Sequence, residues 1–324
     1  MEVSLERLEA QALTGEGVSR EAALWLYREV PLDVLAASAQ RIRKTRCGEA
    51  ADLCTIINAK SGRCSENCAF CAQSAHHCTD VTSYPLLDTE AVLKEARYNS
   101  ARGVHRFALV TAGRTLSDDE VEAVCETVKR LRAETPLAIC VSGGLLNREQ
   151  FARLKAAGVT RIHNNLEASE AHFPKLCTTH TFADKVRAIR DAQAVGLSVC
   201  SGGIFGTGES VEDRIDMAFS LRELGIRSVP INMLNPIAGT PLATQPLLDS
   251  ETMARIVAVY RFILPDAQLR LAGGRGRLAD FGNRAFLGGA NAMITGDMLT
   301  TTGTTIESDV TMLRNFGFEV KDNE

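Results

Sequence analysis

Three cysteines, Cys64, Cys68 and Cys71, are separated by three and then two residues in the stretch Cys64-Ser65-Glu66-Asn67-Cys68-Ala69-Phe70-Cys71. Soft thiolates spaced this closely can converge on one metal centre, and iron–sulfur clusters are held by short cysteine runs of this kind. Three ligands leave one iron of a four-iron cluster without a protein partner, and chemistry can occur at that open position. A structural zinc site is the competing reading. Zinc takes four protein ligands in a closed site, and the fourth would have to come from His76, His77 or Cys78.

The rest of the chain must position this loop. Its 324 residues, 45% of them hydrophobic, are enough to bury one large α/β core. Met1-Glu2-Val3-Ser4-Leu5-Glu6-Arg7 is a polar, helix-like start, not a signal segment. No apolar run approaches the roughly 20 residues that cross a bilayer, so a soluble cytoplasmic protein without membrane contact is expected. A net charge of −4 gives no electrostatic footprint for nucleic acid. Ten cysteines without an export signal favour reduced thiols and metal binding over a disulfide framework. Cys47 and Cys125 fall in helical patterns and read as small packing residues.

Apolar positions recur with helical spacing over 3–13, 19–29 and 32–45, an N-terminal lead-in spanning 1–45. Strands are predicted at 53–59, 104–111, 137–142, 161–167, 198–204, 228–234, 269–273 and 292–295. Helical patterns follow at 88–102, 117–133, 147–157, 182–195, 211–224, 250–263, 279–288 and 306–315. Eight strand–helix units predict a (β/α)8 TIM-type barrel over 46–318, within a single domain covering 1–324. A doubly wound open sheet is the alternative. The cysteine loop follows the first strand, and loops after the strands form the functional face of such a barrel.

Further stretches carry a resemblance: Cys71-Ala72-Gln73-Ser74, Asn164-Asn165-Leu166-Glu167-Ala168-Ser169, Cys200-Ser201-Gly202-Gly203-Ile204, Ser228-Val229-Pro230-Ile231-Asn232-Met233-Leu234 and Arg270-Leu271-Ala272-Gly273-Gly274-Arg275. With the cysteine spacing they make the chain similar, from about residue 30 to about 318, to the biotin synthases of the radical S-adenosylmethionine (SAM) superfamily. The resemblance implies that a [4Fe–4S] cluster on Cys64, Cys68 and Cys71 reductively cleaves SAM. It further implies that the 5′-deoxyadenosyl radical abstracts hydrogen from dethiobiotin, and that sulfur is inserted to close the thiophane ring. A low-potential electron donor of flavodoxin or ferredoxin type and a homodimer are implied in the same way.

Carried over position by position, the resemblance places Phe70 and Ile204 against adenine, and Asn165 and Glu167 at the SAM ribose. Glu167 replaces the more familiar Asp, and the two residues have the parity of one strand face. Lys185 stands where Arg more usually meets the methionine carboxylate. His163, in place of Asn, and Asn232 resemble the contacts to the ureido ring, and Thr301 and Thr302 the pair that receives the substrate carboxylate. Strand-end packing and turn satisfaction are the plainer roles for these residues.

Familiar biotin synthases hold a sacrificial [2Fe–2S] cluster inside the barrel on three cysteines and an arginine. Cys140, Cys200 and Arg270 match three of those positions, and the remaining cysteine position is Ala108. Interior layers of a (β/α)8 barrel come from alternate strands, and Cys54 on the first strand can join Cys140, Cys200 and Arg270 from the third, fifth and seventh. An auxiliary cluster on Cys54, Cys140 and Cys200 is therefore expected, with Arg270 as ligand or charge partner. It is either a four-iron cluster with a labile sulfide or a two-iron cluster. Cys78 and Cys177 compete for the same role. Two other functions stand beside this one: a related radical SAM enzyme of hydrogenase-maturation or methylornithine type, and a non-catalytic iron–sulfur carrier.

Overall fold

The computed structural model describes residues 4–296 and 304–320. Among the described residues nine parallel strands form one sheet: β1 (Asp52–Lys60), β2 (Arg106–Thr111), β3 (Ala138–Ser142), β4 (Arg161–His163), β5 (Ser198–Cys200), β6 (Gly203–Phe205), β7 (Ser228–Met233), β8 (Gln268–Leu271) and β9 (Ala292–Ile294). They run in the order β5-β4-β3-β2-β1-β9-β8-β7-β6, and β5 also pairs with β7 through Cys200 and Ser228. β5 and β6 are thus two halves of one barrel strand interrupted at Ser201-Gly202, and the sheet closes into the expected eight-stranded (β/α)8 barrel.

Side chains alternate across each strand, and the alternation separates two environments. Phe107, Leu109, Ile139, Val141, Ile162, Val229, Ile231, Leu269 and Leu271 join the main core with the surrounding helices. Cys54, Ala108 and Cys140 form a small cluster of their own, with Ile56 against it. The helices are started by local sequence: capping boxes at Ser117/Glu120, Asn147/Gln150, Thr181/Asp184 and Ser210/Asp213 satisfy the first backbone N–H groups where loops turn into helices.

Of the N-terminal helices α1 (Leu5–Leu13), α2 (Arg20–Glu29) and α3 (Leu32–Cys47), the third ends against a buried guanidinium. Fully buried Arg261 donates to the carbonyls of Pro265 (2.9 Å), Ala267 (2.8 Å) and Gly289 (2.8 Å), and its Nη1 lies 3.2 Å from Cys47 Sγ. Cys47 is half-buried and its sulfur meets the Pro265 and Ala267 carbonyls and the Arg261 guanidinium, unlike the packing residue expected, whereas buried Cys125 packs in the main core as expected. Among the described residues no helix is long and apolar enough to cross a membrane.

Four elements differ from the sequence reading. The strand expected over 161–167 stops at His163, because Glu167 adopts a left-handed backbone with φ +73°. The strand expected over 198–204 is broken at Ser201-Gly202, where the chain passes so close to Pro230 of the neighbouring strand that a Cβ at Gly202 would overlap its carbonyl oxygen. The helix expected over 279–288 shrinks to Asn283–Leu287, behind a 3-10 turn at Arg275–Arg277, and a short helix at Phe173–Leu176 was not anticipated.

The glycine at the break can be tested against one that is strained only by its backbone. Gly202→Ala should destabilise the chain by about 2–4 kcal/mol, because the clash is with backbone that cannot yield. Gly48, with φ +72° and nothing near its missing Cβ, should lose only about 1 kcal/mol on the same change. Urea unfolding of both variants checks the order, which equal losses would contradict.

Candidate functional site

The cysteine loop leaves β1 through Gly62 (φ +77°) and Arg63 (φ +52°) and folds back on itself. Cys64 N donates to Gln73 O (2.9 Å), Ala75 N to Cys64 O (2.8 Å) and Cys71 N to Cys68 O (2.9 Å). These bonds gather the three sulfurs, so that Cys71 feels Cys64, and Cys68 feels Cys71. His76 and His77, weighed above as zinc ligands, instead bond through their rings to the carbonyls of Ser65 (3.0 Å) and Cys68 (3.1 Å), and Cys78 is exposed. Burial pushes the Cys71 thiol up to about 11, with Cys64 and Glu167 adding to it. Cys68 is raised further, by burial and then by Cys177 and Cys71. A metal that binds these sulfurs takes the place of their protons.

The loop docks on the segment after β4. Ala69 N donates to Leu176 O (2.8 Å), Asn67 Nδ2 to Thr178 Oγ1 (2.7 Å), and Thr178 N back to Asn67 Oδ1 (3.0 Å). Buried Glu66 accepts from His180 Nδ1 (2.6 Å), Thr179 Oγ1 (2.9 Å) and Arg114 Nη1 (3.2 Å). Sequence reasoning missed Glu66 and His180. An acid inside the cysteine run was the available signal.

Asn165 and Glu167 lie beyond the end of β4 and not on a strand face, yet they meet: Asn165 Nδ2 is 3.3 Å from Glu167 Oε2. Burial raises the Glu167 carboxyl against the pull of Lys185 and His163. Lys185 Nζ lies 3.3 Å from Asn164 Oδ1. Ile204 sits on β6, and Asn232 on β7 binds Gly203 O (3.1 Å) and Gly273 N (3.0 Å) across the rim. Thr301 and Thr302 lie outside the described residues. A cavity of about 570 Å³ opens beside the loop, lined by Asn58, Ala72, Tyr84, Asn235 and Arg277 among others. None of the residues assigned to SAM or to a cluster lines it.

Deeper in the barrel, Cys54, Cys140, Cys200 and Arg270 are buried and lie close enough to shift one another's ionisation. Ala108 pairs with Cys140 in register and packs with Cys54. Cys177 stands against Cys68 and not in this layer. Burial pushes Cys54 up to about 11 and raises Cys140 further. Cys200 is the exception: burial would raise it, but a hydrogen bond from His163, the charges of His163 and Arg270, and the Ser228 hydroxyl (3.2 Å) bring it down to about 7. His163 thus faces Cys200.

Comparison with known proteins places these features in a family. Residues 59–221 match the radical SAM superfamily, and residues 230–319 match the biotin and thiamin synthesis associated domain. Biotin synthase 2 of Corynebacterium diphtheriae is 51% identical over 98% of this chain and 96% of its own length. Biotin synthase of Brachyspira hyodysenteriae is also 51% identical, over 99% of this chain and 96% of its own. The chain belongs to the biotin synthase family. It is accordingly a radical SAM enzyme that uses a [4Fe–4S] cluster, SAM and an auxiliary iron–sulfur cluster. Among solved structures, methylornithine synthase superposes with a TM-score of 0.82 over 97% of both chains, at 20% identity, a likeness of fold alone.

The interior suits the auxiliary cluster of a biotin synthase. Asp52, Arg106 and Arg161 surround the thiols with Arg270, so three guanidiniums share one carboxylate. Asp52 Oδ2 pairs with Arg270 Nη2 (2.8 Å) and, more loosely, with Arg161 (3.8 Å). The Nε atoms of all three arginines are buried and unpartnered. Arg270 is fully buried and Arg106 and Arg161 half-buried, and positive charge with unused buried donors is costly unless an anion meets it; three thiolates carrying an iron–sulfur cluster are such an anion. Arg270 commits Nη1 to the carbonyls of Asp52 (3.0 Å) and Met293 (2.9 Å), and Nη2 to the Asp52 carboxylate (2.8 Å). The loop fits its own cluster equally well, with three soft donors gathered by backbone bonds and no fourth from His76 or His77.

If Asp52 is the counter-charge of this floor, Asp52→Asn should cost the cluster-free chain about 3–5 kcal/mol in urea unfolding. Adding Arg270→Met should recover part of that loss, because it removes a guanidinium that has become uncompensated. Additive losses in the double variant would show that the two residues do not act as a pair.

Proposed function

We propose that the chain forms biotin from dethiobiotin with Cys64, Cys68 and Cys71 as the protein ligands of the [4Fe–4S] cluster and Cys54, Cys140 and Cys200 as those of the auxiliary cluster. The observation that carries the reading is the buried layer of three thiols over three arginines with orphaned Nε atoms. When bound, the [4Fe–4S] cluster supplies the electron that cleaves SAM, and the auxiliary cluster supplies the sulfur.

The chain's own residues bind and orient. In this reading Phe70 and Ile204 pack on adenine, Asn165 and Glu167 accept the ribose hydroxyls, and Lys185 pairs with the methionine carboxylate. The Glu167 carboxylate is the right partner for hydroxyl donors, and its contact with Asn165 (3.3 Å) supports a shared ribose site. Asn232 retains one N–H and one lone pair beyond its two backbone bonds for the ureido ring. His163 orients Cys200 as well as standing on the strand that carries the substrate face. Thr301 and Thr302 complete the proposal as the carboxylate pair. Proximity of this kind directs a radical that would otherwise react indiscriminately.

The reading extends to a cytoplasmic enzyme served by a flavodoxin or ferredoxin type of donor and working as a homodimer. The chain is taken as one domain, and a hydrophobic core running from Leu8 to Val320 supports this.

Anaerobically reconstituted protein, given dethiobiotin, SAM and a low-potential reductant, should yield 5′-deoxyadenosine and biotin. Cys68→Ala should lose both products. 5′-Deoxyadenosine without biotin would retain the superfamily chemistry and discard the substrate. Iron and sulfide analysis separates the candidate ligands: Cys54→Ala should lose the auxiliary cluster, while Cys78→Ala and Cys177→Ala keep it. An intact second cluster in Cys54→Ala would remove Cys54 from the ligand set.

A further inference from the structure

Behind the cysteine loop, Cys68 meets two donors, Cys177 and His180, that the reaction does not use. Cys68 Sγ, Cys177 Sγ and a ring nitrogen of His180 all lie within 4.8 Å of one another. Cys177 Sγ is 3.2 Å from His180 Nδ1, and that nitrogen is 2.6 Å from Glu66 Oε2. Cys177, His180 and Glu66 are buried, and His180 Nε2 has no partner. Unlike Cys125, which packs in the apolar core, Cys177 is surrounded by polar atoms, with Asn67 Oδ1 and Thr179 Oγ1 each 3.4 Å from its sulfur.

Two thiols, an imidazole and a carboxylate are the donor types of a tetrahedral zinc site, whose neighbouring donor atoms lie roughly 3.3–3.8 Å apart. The separations of the three donors bracket that range, whereas Glu66, held by His180, Thr179 and Arg114, would have to turn toward the sulfurs to close the site. The segments that supply the donors are already joined by the Asn67 bonds to Thr178 and Thr179, so the site is preformed.

We propose that Cys68, Cys177 and His180, with Glu66 as the nearest fourth donor, form a mononuclear site for a thiophilic divalent cation such as Zn²⁺, filled only while the [4Fe–4S] cluster is absent. The mutual exclusion rests on the reading of Cys68 as a cluster ligand, because one thiolate cannot serve both centres in these positions. The cation site itself does not depend on that reading. In the cluster-free chain the cation would replace the protons on both sulfurs and hold the loop against the segment 176–180. It would also have to leave before the cluster is built, so zinc and cluster assembly compete.

The test uses the full chain, stripped of metal, reduced and kept anaerobic, and titrated with Co²⁺ as the probe. One equivalent per chain, with thiolate-to-cobalt charge-transfer absorption, should be lost or weakened by about tenfold or more in both Cys177→Ala and His180→Ala. Cys64→Ala should keep that equivalent. No charge-transfer band in the wild-type chain, its loss in Cys64→Ala, or wild-type binding in Cys177→Ala and His180→Ala overturns the site. In a second arm, one equivalent of Zn²⁺ should slow iron and sulfide uptake at the loop in the wild-type chain but not in Cys177→Ala. Unimpeded uptake by the zinc-loaded wild type overturns the exclusion. A zinc-free chain that takes up no cluster at the loop removes the reading of Cys68 as a cluster ligand instead, and the cobalt titration still decides the cation site.

Discussion

Closure of the barrel at Ser201-Gly202 is the constraint on which both metal centres depend. β5 reaches β7 through one register pair, Cys200 with Ser228, and the chain must then step past the Pro230 carbonyl, where only a residue without a Cβ fits. The step frees backbone groups that a continuous strand would have used, and buried backbone groups need partners. Gly202 N finds Asn165 Oδ1 at 3.1 Å, and Gly202 O and Ile204 N are bridged by Glu167 at 3.0 and 2.9 Å. Asn232 fastens Gly203 to Gly273 a strand further on. The residues assigned to SAM and substrate therefore also close the barrel rim, which fixes them by the same bonds that hold the fold.

The two sulfur sites differ in their electrostatics. Cys68 and Cys71 face one another and Glu167, and at Cys71 burial outweighs the help that the backbone N–H groups of Gln73 and Ser74 give the thiolate, so a metal must stabilise both thiolates. Cys200 lies among His163, Arg270 and the Ser228 hydroxyl, which offset its burial. Three guanidiniums around one carboxylate give the interior a positive field before any cluster is present. A site that must accept an anionic cluster and survive its change of charge is helped by such a field, whereas a loop that opens one iron to SAM gains from thiols that bind metal or remain neutral.

The eight strand–helix units were legible because apolar runs and helical spacing are local. The break at Gly202 was not, since the close approach there is to Pro230, remote in sequence and adjacent only in the closed sheet. The end of β4 was overrun for a similar reason: Glu167 takes its left-handed backbone to bridge Gly202 and Ile204. The helix at Phe173–Leu176 has four residues, too few for a period to show. The loop cysteines and the match of Cys140, Cys200 and Arg270 were visible, and the rule of alternate strands brought in Cys54. Asp52, Arg106 and Arg161 were overlooked, although each stands two residues from another interior position, Cys54, Ala108 and His163. Charged residues at that parity, near the starts of otherwise apolar strands, were the available signal.

The docking of the cysteine loop explains how a radical-forming centre and its ligand-binding side chains can share one frame. Glu66, within the cysteine run, accepts from His180, and the next residue, Thr181, caps the helix Phe182–Ala194 that carries Lys185. Asn67 and Ala69 make further bonds to 176–179. A displacement of the cysteine loop is therefore passed on to Lys185 within one turn of helix and does not dissipate in a free connection. Reactive geometries tolerate only about 0.5 Å of error, and a loop outside the regular elements could not meet that requirement alone. Its precision comes from being bonded, through a buried acid and an imidazole, to the segment after β4 where it turns into helix.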